Sequence, residues 1–187
     1  MKYFEVVADD VRFRDRWFLD EPLDSDGNVI DARNLTDGVP YTGLRPVTVP
    51  IQQPGRHIAF TFAAFELPVV AASVGKIFNE LCPADIQLFP VRIDSAADGY
   101  EILNIAVTAD CIDERCSHIV KWSAEDGRPD KVGKYRTVGN LKIDPERVGN
   151  RQVFRVRGWE VALILTNRIR EALSQFTELG VVFRAVT

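Results

Sequence analysis

The sequence contains few of the side chains that bind transition metals or build disulfide frameworks. It has two histidines and three cysteines in 187 residues. Cys111 and Cys116 are spaced as a zinc site could use, but no second pair or histidine cluster completes a tetrahedral ligand set. Together with Cys82 they make an odd number that cannot all pair within the chain, and no secretory context accompanies them. We therefore expect reduced thiols, no metal and no cofactor, and we expect function not to depend on the thiols.

A nucleotide-binding motif and an excess of positive charge are also absent. Glycines space out the charged segment after Trp122, but Gly-x-x-x-x-Gly-Lys-Ser/Thr does not occur and no helix start follows that would hold a phosphate. The formal net charge is -4 and the pI is about 5.3, whereas a protein that binds a phosphate backbone usually has a clustered basic excess. We therefore expect no nucleic-acid partner. The same charge permits a basic protein partner, whose association an acidic surface would accelerate.

The N-terminal segment has only a short apolar run, which acidic residues interrupt: Met-Lys-Tyr-Phe-Glu-Val-Val-Ala-Asp-Asp. This pattern is neither that of a secretory signal peptide nor that of a membrane span, so we expect a cytoplasmic protein with no membrane partner. A hydrophobic fraction of 46% suffices for a core without metal or disulfide. We expect one domain over residues 1–187.

Hydrophobic periodicity predicts an α+β fold with a mixed or largely antiparallel sheet and at least two packed helices. The helices are predicted near 72–82 and over 167–175. A polar, glycine-containing connection at 94–99 predicts a hairpin between its flanking strands. Strands are predicted at 3–7, 12–19, 57–62, 86–93, 100–107, 118–122, 135–138, 161–166 and 181–186.

When the sequence is aligned with itself at an offset of about 95 residues, the apolar positions of the two predicted helices coincide. Val74 then falls on Ile169, and Phe78 falls on Leu173. The agreement is one of apolar pattern rather than identity, and any two strand-helix-strand units would share some of it. An internal repeat is one interpretation, which would imply two similar lobes with a binding surface where they meet. Ile169, Leu173 and Phe176 share one helical face, which we expect to lie in the core.

Residues 20–54 form a long excursion rich in turn-forming and acidic residues, with little periodicity. A loop this long inside a compact domain is either functional or partly mobile. Four of its acids are candidate partner contacts, which we expect to be solvated charges that speed association and contribute little to stability: Glu21, Asp24, Asp26 and Asp31.

One local cluster contains a thiol, a base and carboxylates: Cys111, Asp113 and His118, with Glu114 between them. A nucleophilic cysteine needs a histidine aligned by the fold, and the usual flanking signatures are absent. A strand end with solvated or capping acids is the simpler interpretation. An enzyme centred on Cys111, Asp113 and His118 stays as an alternative hypothesis, and Asp113 and Glu114 are further candidates for partner contact.

The charged segment 122–136 lies between two apolar regions. Asp126-Gly127 predicts a turn, and the mixed charges are expected to pair with one another in water. Glu125 and Asp126 are candidate partner contacts, although a scaffold role is the first interpretation. In a chain this apolar we expect at least two of the three tryptophans to lie in the core: Trp17, Trp122 and Trp159.

Five segments, in this order, are similar to those of a known family: 60–70, 87–92, 122–136, 143–149 and 153–165. The chain resembles the eleventh family of bacterial polymorphic-toxin immunity proteins, small proteins usually encoded beside a toxin. The resemblance covers most of the chain from about Phe60 onward and is weak over 20–54. It implies a protein without chemistry of its own that neutralises a cognate toxin by stoichiometric occlusion.

Segments that recur across immunity proteins with different toxins are expected to be scaffold, and specificity is then expected in the excursion. Recognition should therefore depend on the excursion acids more than on 122–136. A general protein-interaction module is a further alternative. The sequence leaves the identity of the toxin and self-association open.

Overall fold

A computed structural model of the chain describes residues 1–94, 96 and 99–187. Within this part the chain forms thirteen strands and two α-helices. In chain order they are β1 Tyr3–Ala8, β2 Phe18–Leu19, β3 Ile51–Gln53, β4 Phe60–Ala63, β5 Leu67–Ala71, α1 Ala72–Leu81, β6 Ile86–Val91, β7 Tyr100–Ile105, β8 Thr108–Ala109, β9 His118–Lys121, β10 Tyr135–Gly139, β11 Val153–Val156, β12 Trp159–Thr166, α2 Asn167–Leu173 and β13 Val181–Ala185. Neither of these helices has the length and apolar character needed to cross a bilayer.

Two sheets contain most of the strands. The first sheet has the order β4-β5-β7-β6, and all its neighbouring strands are antiparallel. The second has the order β13-β1-β12-β11-β8 and is antiparallel except where β8 meets β11. Helix α1 packs on the first sheet and α2 on the second. The predicted α+β class with largely antiparallel sheets and two packed helices is therefore confirmed.

The two sheets repeat one pairing pattern. Strands β4, β5 and β6 correspond to β11, β12 and β13, and β7 corresponds to β1. The helices begin at Ala72 and Asn167, and the strands after them begin at Ile86 and Val181, so both offsets are 95 residues. The pairing registers around β7 and β1 also correspond. The fold therefore contains two similar strand-helix-strand units, which the apolar register of the sequence had left open.

Each half of the chain supplies a strand to the sheet of the other half. Strand β1 begins the first half but pairs with β12 and β13, whereas β7 begins the second half but pairs with β5 and β6. Backbone bonds tie the halves further: Phe60 N donates to Leu179 O at 2.7 Å, and Ala106 N donates to Asp85 O at 2.8 Å. Neither half therefore completes its own sheet.

The helices contact each other in a central core to which both halves contribute. Val74 and Phe78 of α1 and Ile169 and Leu173 of α2 are all fully buried there. Phe176, just after α2, is partly buried against the same cluster. The helical face predicted to lie in the core does so, because the 3.6-residue period places these side chains on one side of α2.

Inserted segments cover the outer faces of both sheets. On the first sheet the excursion 20–54 contributes buried side chains at Ile30, Ala32, Leu35 and Val49. On the second sheet the segment between β8 and β11 contributes Cys111, Ile112, Leu141, Ile143 and Val148. The excursion is therefore a covering layer of the first sheet, with a short 3₁₀ turn at Ala32–Leu35 and strand β3 within it.

The strand predicted at 12–19 is wrong except for Phe18–Leu19. The segment turns instead, because Phe13 N donates to Asp9 O at 3.1 Å and Arg16 N donates to Phe13 O at 3.2 Å. Phe13 and Trp17 are both buried, four positions apart, on one side of consecutive turns. In the sequence this spacing resembles the alternating apolar pattern of a strand. The hairpin predicted between β6 and β7 is confirmed by their pairing, although residues 95, 97 and 98 of its connection lie outside the described residues.

Candidate partner-binding sites

The thiol at the centre of the enzyme hypothesis is buried. Cys111 is fully buried in the cluster under the second sheet, and burial raises the pKa of its thiol to about 11. Such a thiol is protonated at neutral pH, whereas a nucleophilic cysteine reacts as the thiolate. His118 lies exposed in β9, and Asp113 accepts the backbone N–H of Arg115 at 2.9 Å. The fold therefore gives Cys111 the environment of a structural thiol.

The eight candidate acids lie in three regions of the fold. Glu21, Asp24, Asp26 and Asp31 are in the covering layer of the first sheet, Asp113 and Glu114 are beside the β9–β10 hairpin, and Glu125 and Asp126 are at the turn of that hairpin. Within the described residues, no hydrogen bond or ion pair connects a candidate acid of one region to a candidate acid of another.

Asp24 is not the solvated charge that we expected. It is 7% exposed, and its carboxylate accepts the backbone N–H groups of Asp26 and Asn28, both at 2.9 Å. These bonds, chiefly the one from Asn28, lower the pKa of Asp24. Gly27 in the same turn has a φ of +82°, which a glycine adopts without strain. Asp24 therefore organises a turn of the covering layer.

The other three excursion acids lie nearer the surface. Asp31 precedes the 3₁₀ turn, accepts the backbone N–H of Arg33 at 3.0 Å and pairs with its guanidinium at 2.7 Å. Glu21 is half-buried and accepts the N–H of Ala32 at 3.4 Å, and Asp26 is exposed. These side chains are available at the edge of an interface, although Asp31 already has a cationic partner.

Asp113 and Glu114 line a groove of about 610 Å³ beside the β9–β10 hairpin, which we call the acidic groove. Its lining residues are Asp110, Ile112, Asp113, Glu114, Arg115, Tyr135, Asp144 and Arg147. Arg147 is engaged, because its Nη2 pairs with Asp110 at 2.9 Å and its Nη1 donates to Ile112 O at 3.2 Å. The lining therefore has four carboxylates and two guanidinium groups, and two of the carboxylates, Asp110 and Glu114, already have ion-pair partners.

Local hydrogen bonds hold two of the groove carboxylates, Asp113 and Glu114, in place. Glu114 accepts the Tyr135 hydroxyl at 2.6 Å and Lys121 Nζ at 2.9 Å, and these bonds lower the pKa of Glu114. Burial, with Glu114 beside it, raises the pKa of Tyr135 to about 12. Cys116 lowers the pKa of Asp113 through its side chain and through its N–H at 3.2 Å. Carboxylates fixed in this way can receive an ammonium or guanidinium group without rearranging.

The charges of segment 122–136 pair with one another, as predicted. Asp126 accepts Ser123 N at 2.8 Å and forms an ion pair with Arg136. Arg136 lies 4.8 Å from the ring centroid of Trp122. Gly127, with a φ of +67°, completes the predicted turn. Asp126 therefore has structural partners, while Glu125 is exposed.

The tryptophans differ in burial. Trp17 is fully buried in the cluster on the outer face of the first sheet and stacks on His57 with ring centroids 4.2 Å apart. Trp159 is partly buried against the cluster of the second sheet, and Trp122 lies half-exposed in the hairpin. The expectation of two core tryptophans is met in full only by Trp17.

Sequence reasoning found two carboxylates of the acidic groove but not Asp110, Tyr135 or Asp144. These residues come from separate segments, which the bridge between Ile112 and Ile143 brings together. Asp144 carries a local signal, since an aspartate before Pro-Glu is typical of a capped turn, and its side chain accepts Glu146 N at 3.0 Å. No spacing in the sequence indicates the contact between the segments.

Within the described part of the chain, no group of three or more His, Cys, Asp or Glu side chains is placed to hold a metal ion. Compared with protein-family models and with curated proteins, the chain gave no match. The candidate sites therefore rest on geometry and charge.

Proposed function

We propose that the chain is a cytoplasmic bacterial immunity protein that binds a cognate, basic toxin stoichiometrically and blocks it without chemistry of its own. The resemblance of segments from 60 to 165 to the eleventh immunity family supports the class of function. A net charge of -4 supports the basic character of the partner. The buried, protonated Cys111 removes the main support for the enzyme alternative.

The acidic groove is the observation that carries this proposal. Tyr135 and Lys121 hold Glu114, and backbone N–H groups hold Asp113, so a lysine or arginine of the toxin meets prearranged carboxylates. A specific complex buries roughly 1,200–2,000 Å² in total, which is more than the groove alone offers. The groove is therefore one charged part of a wider interface.

The test uses the toxin encoded beside this gene, in a catalytically inactive form. Surface plasmon resonance should show that Asp113→Asn with Glu114→Gln associates several-fold more slowly than the wild-type chain at low salt. The difference should shrink as salt rises, because screening weakens steering by surface charge. The matched control is Asp15→Asn with Glu80→Gln, two exposed acids outside the groove, each with one ion-pair partner.

Growth rescue in cells that express the active toxin tests the function itself. The wild-type chain should restore growth at equal expression. If the wild-type chain neither binds the toxin nor restores growth, the proposed function is wrong. If it does both but the groove variant associates as fast as the control, the groove is not part of the interface.

A further inference from the structure

The turn between β4 and β5 holds an exposed aromatic side chain in an unfavourable backbone conformation. Leu67 N donates to Ala64 O across the turn, and its central residues Phe65 and Glu66 have φ values of +55° and +56°. Positive φ at both central residues is the mark of a type I′ turn, for which Asn-Gly is the preferred pair. An aromatic residue is strained there, and yet Phe65 is 52% exposed.

Packing does not explain the choice of residue. The Phe65 ring contacts the Arg33 guanidinium, 4.9 Å from the ring centroid, but about half of its surface stays in water. Asparagine would fit the backbone better and would give up little buried apolar area. The fold therefore keeps an aromatic group on its surface at a cost in stability, as happens where strain serves a function.

A buried arginine fixes the position of this turn. Arg155 is fully buried, and its Nη2 donates to Glu66 O at 3.1 Å while its Nη1 donates to Val161 O at 3.2 Å. These bonds connect the turn in the first sheet to strand β12 in the second. An anchor held in this way loses little conformational freedom when a partner binds.

Two further exposed apolar side chains belong to residues placed close to the neighbours of Phe65 in the turn. Phe18 is 43% exposed and lines a cavity of about 250 Å³ together with Ala64 and Glu66 of the turn. Val161, whose carbonyl is bound by Arg155, is 53% exposed. We call this region, formed by Phe18, Phe65, Val161 and the turn, the tip surface.

The tip surface has an excess of negative charge around its apolar centre. Three guanidinium groups beneath or beside it interact electrostatically with seven carboxylates: Asp9, Asp10, Glu21, Asp31, Asp37, Glu66 and Glu160. Two of the three arginines, Arg16 and Arg155, are buried, whereas the exposed Arg33 lies over the Phe65 ring and is paired with Asp31, so a partner meets one exposed guanidinium group beside the seven carboxylates. An aromatic anchor within a polar rim is the arrangement found at energetically important interface centres.

We infer that the tip surface docks a basic segment of the toxin, with Phe65 as the apolar anchor and the surrounding carboxylates as the rim. This inference rests on the proposed function and names a contact surface other than the acidic groove. Charge complementarity selects the partner: a second copy of this chain would bring like charges face to face, and an anionic lipid surface would be repelled. Of the excursion acids, Glu21 and Asp31 take part here.

The decisive variant is Phe65→Asn in the full-length chain, titrated calorimetrically with the inactive toxin encoded beside the gene. We expect Kd to rise about tenfold or more, since removal of a central aromatic anchor typically has that effect. Phe65→Tyr should keep Kd within about threefold of wild type, because the tyrosine retains the ring. The matched control is Val29→Asn, which removes a 62% exposed apolar residue of the excursion and should leave Kd unchanged.

A second variant tests the surrounding carboxylates while the backbone contact between Glu66 and Arg155 stays in place. Glu66→Lys keeps the carbonyl that Arg155 binds and should weaken binding of the toxin most at low salt.

Phe65→Asn should also unfold at a temperature equal to or above that of the wild-type chain. A clearly lower midpoint would show that the ring is structural and would overturn the inference.

The outcomes separate the two proposals. If the wild-type chain does not bind the toxin, both are wrong. If the toxin binds and Phe65→Asn and Glu66→Lys both leave Kd within twofold of wild type, the tip surface is not the docking site, while the proposed function stands.

Discussion

At the scale of single residues, several polar side chains that suggest function from their type alone serve the fold. Arg155 is fully buried against two backbone carbonyls, and burial lowers its pKa to about 10, so it stays charged at neutral pH. Arg16 is 4% exposed and donates to Thr61 Oγ1 at 2.9 Å. Asp24 closes a turn through backbone N–H groups. Residue type does not distinguish a charge that faces a partner from one that binds its own backbone.

Asp24 should make stability depend on pH below the ordinary carboxyl range. Its pKa is lowered from 3.8 in the folded chain, so its contribution is complete above that value and is lost as pH falls through the lower folded pKa. Asp24→Asn should therefore be less stable than wild type at pH 7, and the difference should shrink near pH 3. Urea unfolding at both pH values measures this, with exposed Asp26→Asn as the control. Equal stability of Asp24→Asn and wild type at pH 7 would contradict a structural role.

At the scale of elements, long periodic segments could be predicted from the sequence, and contacts between distant segments could not. The helices were predicted because Val74 and Phe78, like Ile169 and Leu173, recur at helical spacing. The turns around Phe13 and the acidic groove were missed, since both depend on partners outside the local window. The tip surface had one local signal, an Ala-Phe-Glu turn between apolar strands where Asn or Gly would be expected.

The buried face of α2 gives an element-scale prediction. Leu173→Ala should lower the free energy of unfolding by about 2 to 5 kcal/mol, the usual range for a fully buried leucine replaced by alanine. Arg168→Ala, an exposed position on the same helix, should change it by less than about 0.5 kcal/mol. Denaturant unfolding monitored by circular dichroism compares the two. Similar losses for both variants would show that the face of α2 is not what stabilises it.

At the scale of the whole molecule, the repeated units form the interior, and the candidate surfaces lie on the non-repeated segments and at the edges of the repeated units. The sheets and helices of both halves share one central core. The acidic groove lies in the cover of the second sheet, and the tip surface combines Phe18 of β2, the β4–β5 turn and Val161 of β12. A scaffold of this kind can vary its surface segments without changing the core that both halves build.

The exchange of β1 and β7 predicts that the halves of the chain fold only together. Residues 1–94 alone would contain β4, β5 and β6 without the strand between β5 and β6, and residues 95–187 alone would lack the strand between β12 and β13. Each fragment would also expose its side of the central core, to which both helices contribute. We therefore expect neither fragment to unfold cooperatively alone, and a mixture to form a one-to-one complex whose melting temperature rises with concentration, because association is linked to folding. Circular dichroism melts and analytical ultracentrifugation of the fragments, singly and mixed, measure this against the intact chain. A sharp, concentration-independent melt of residues 1–94 alone would mean that β7 is dispensable for the first sheet and that the exchanged strands do not hold the halves together.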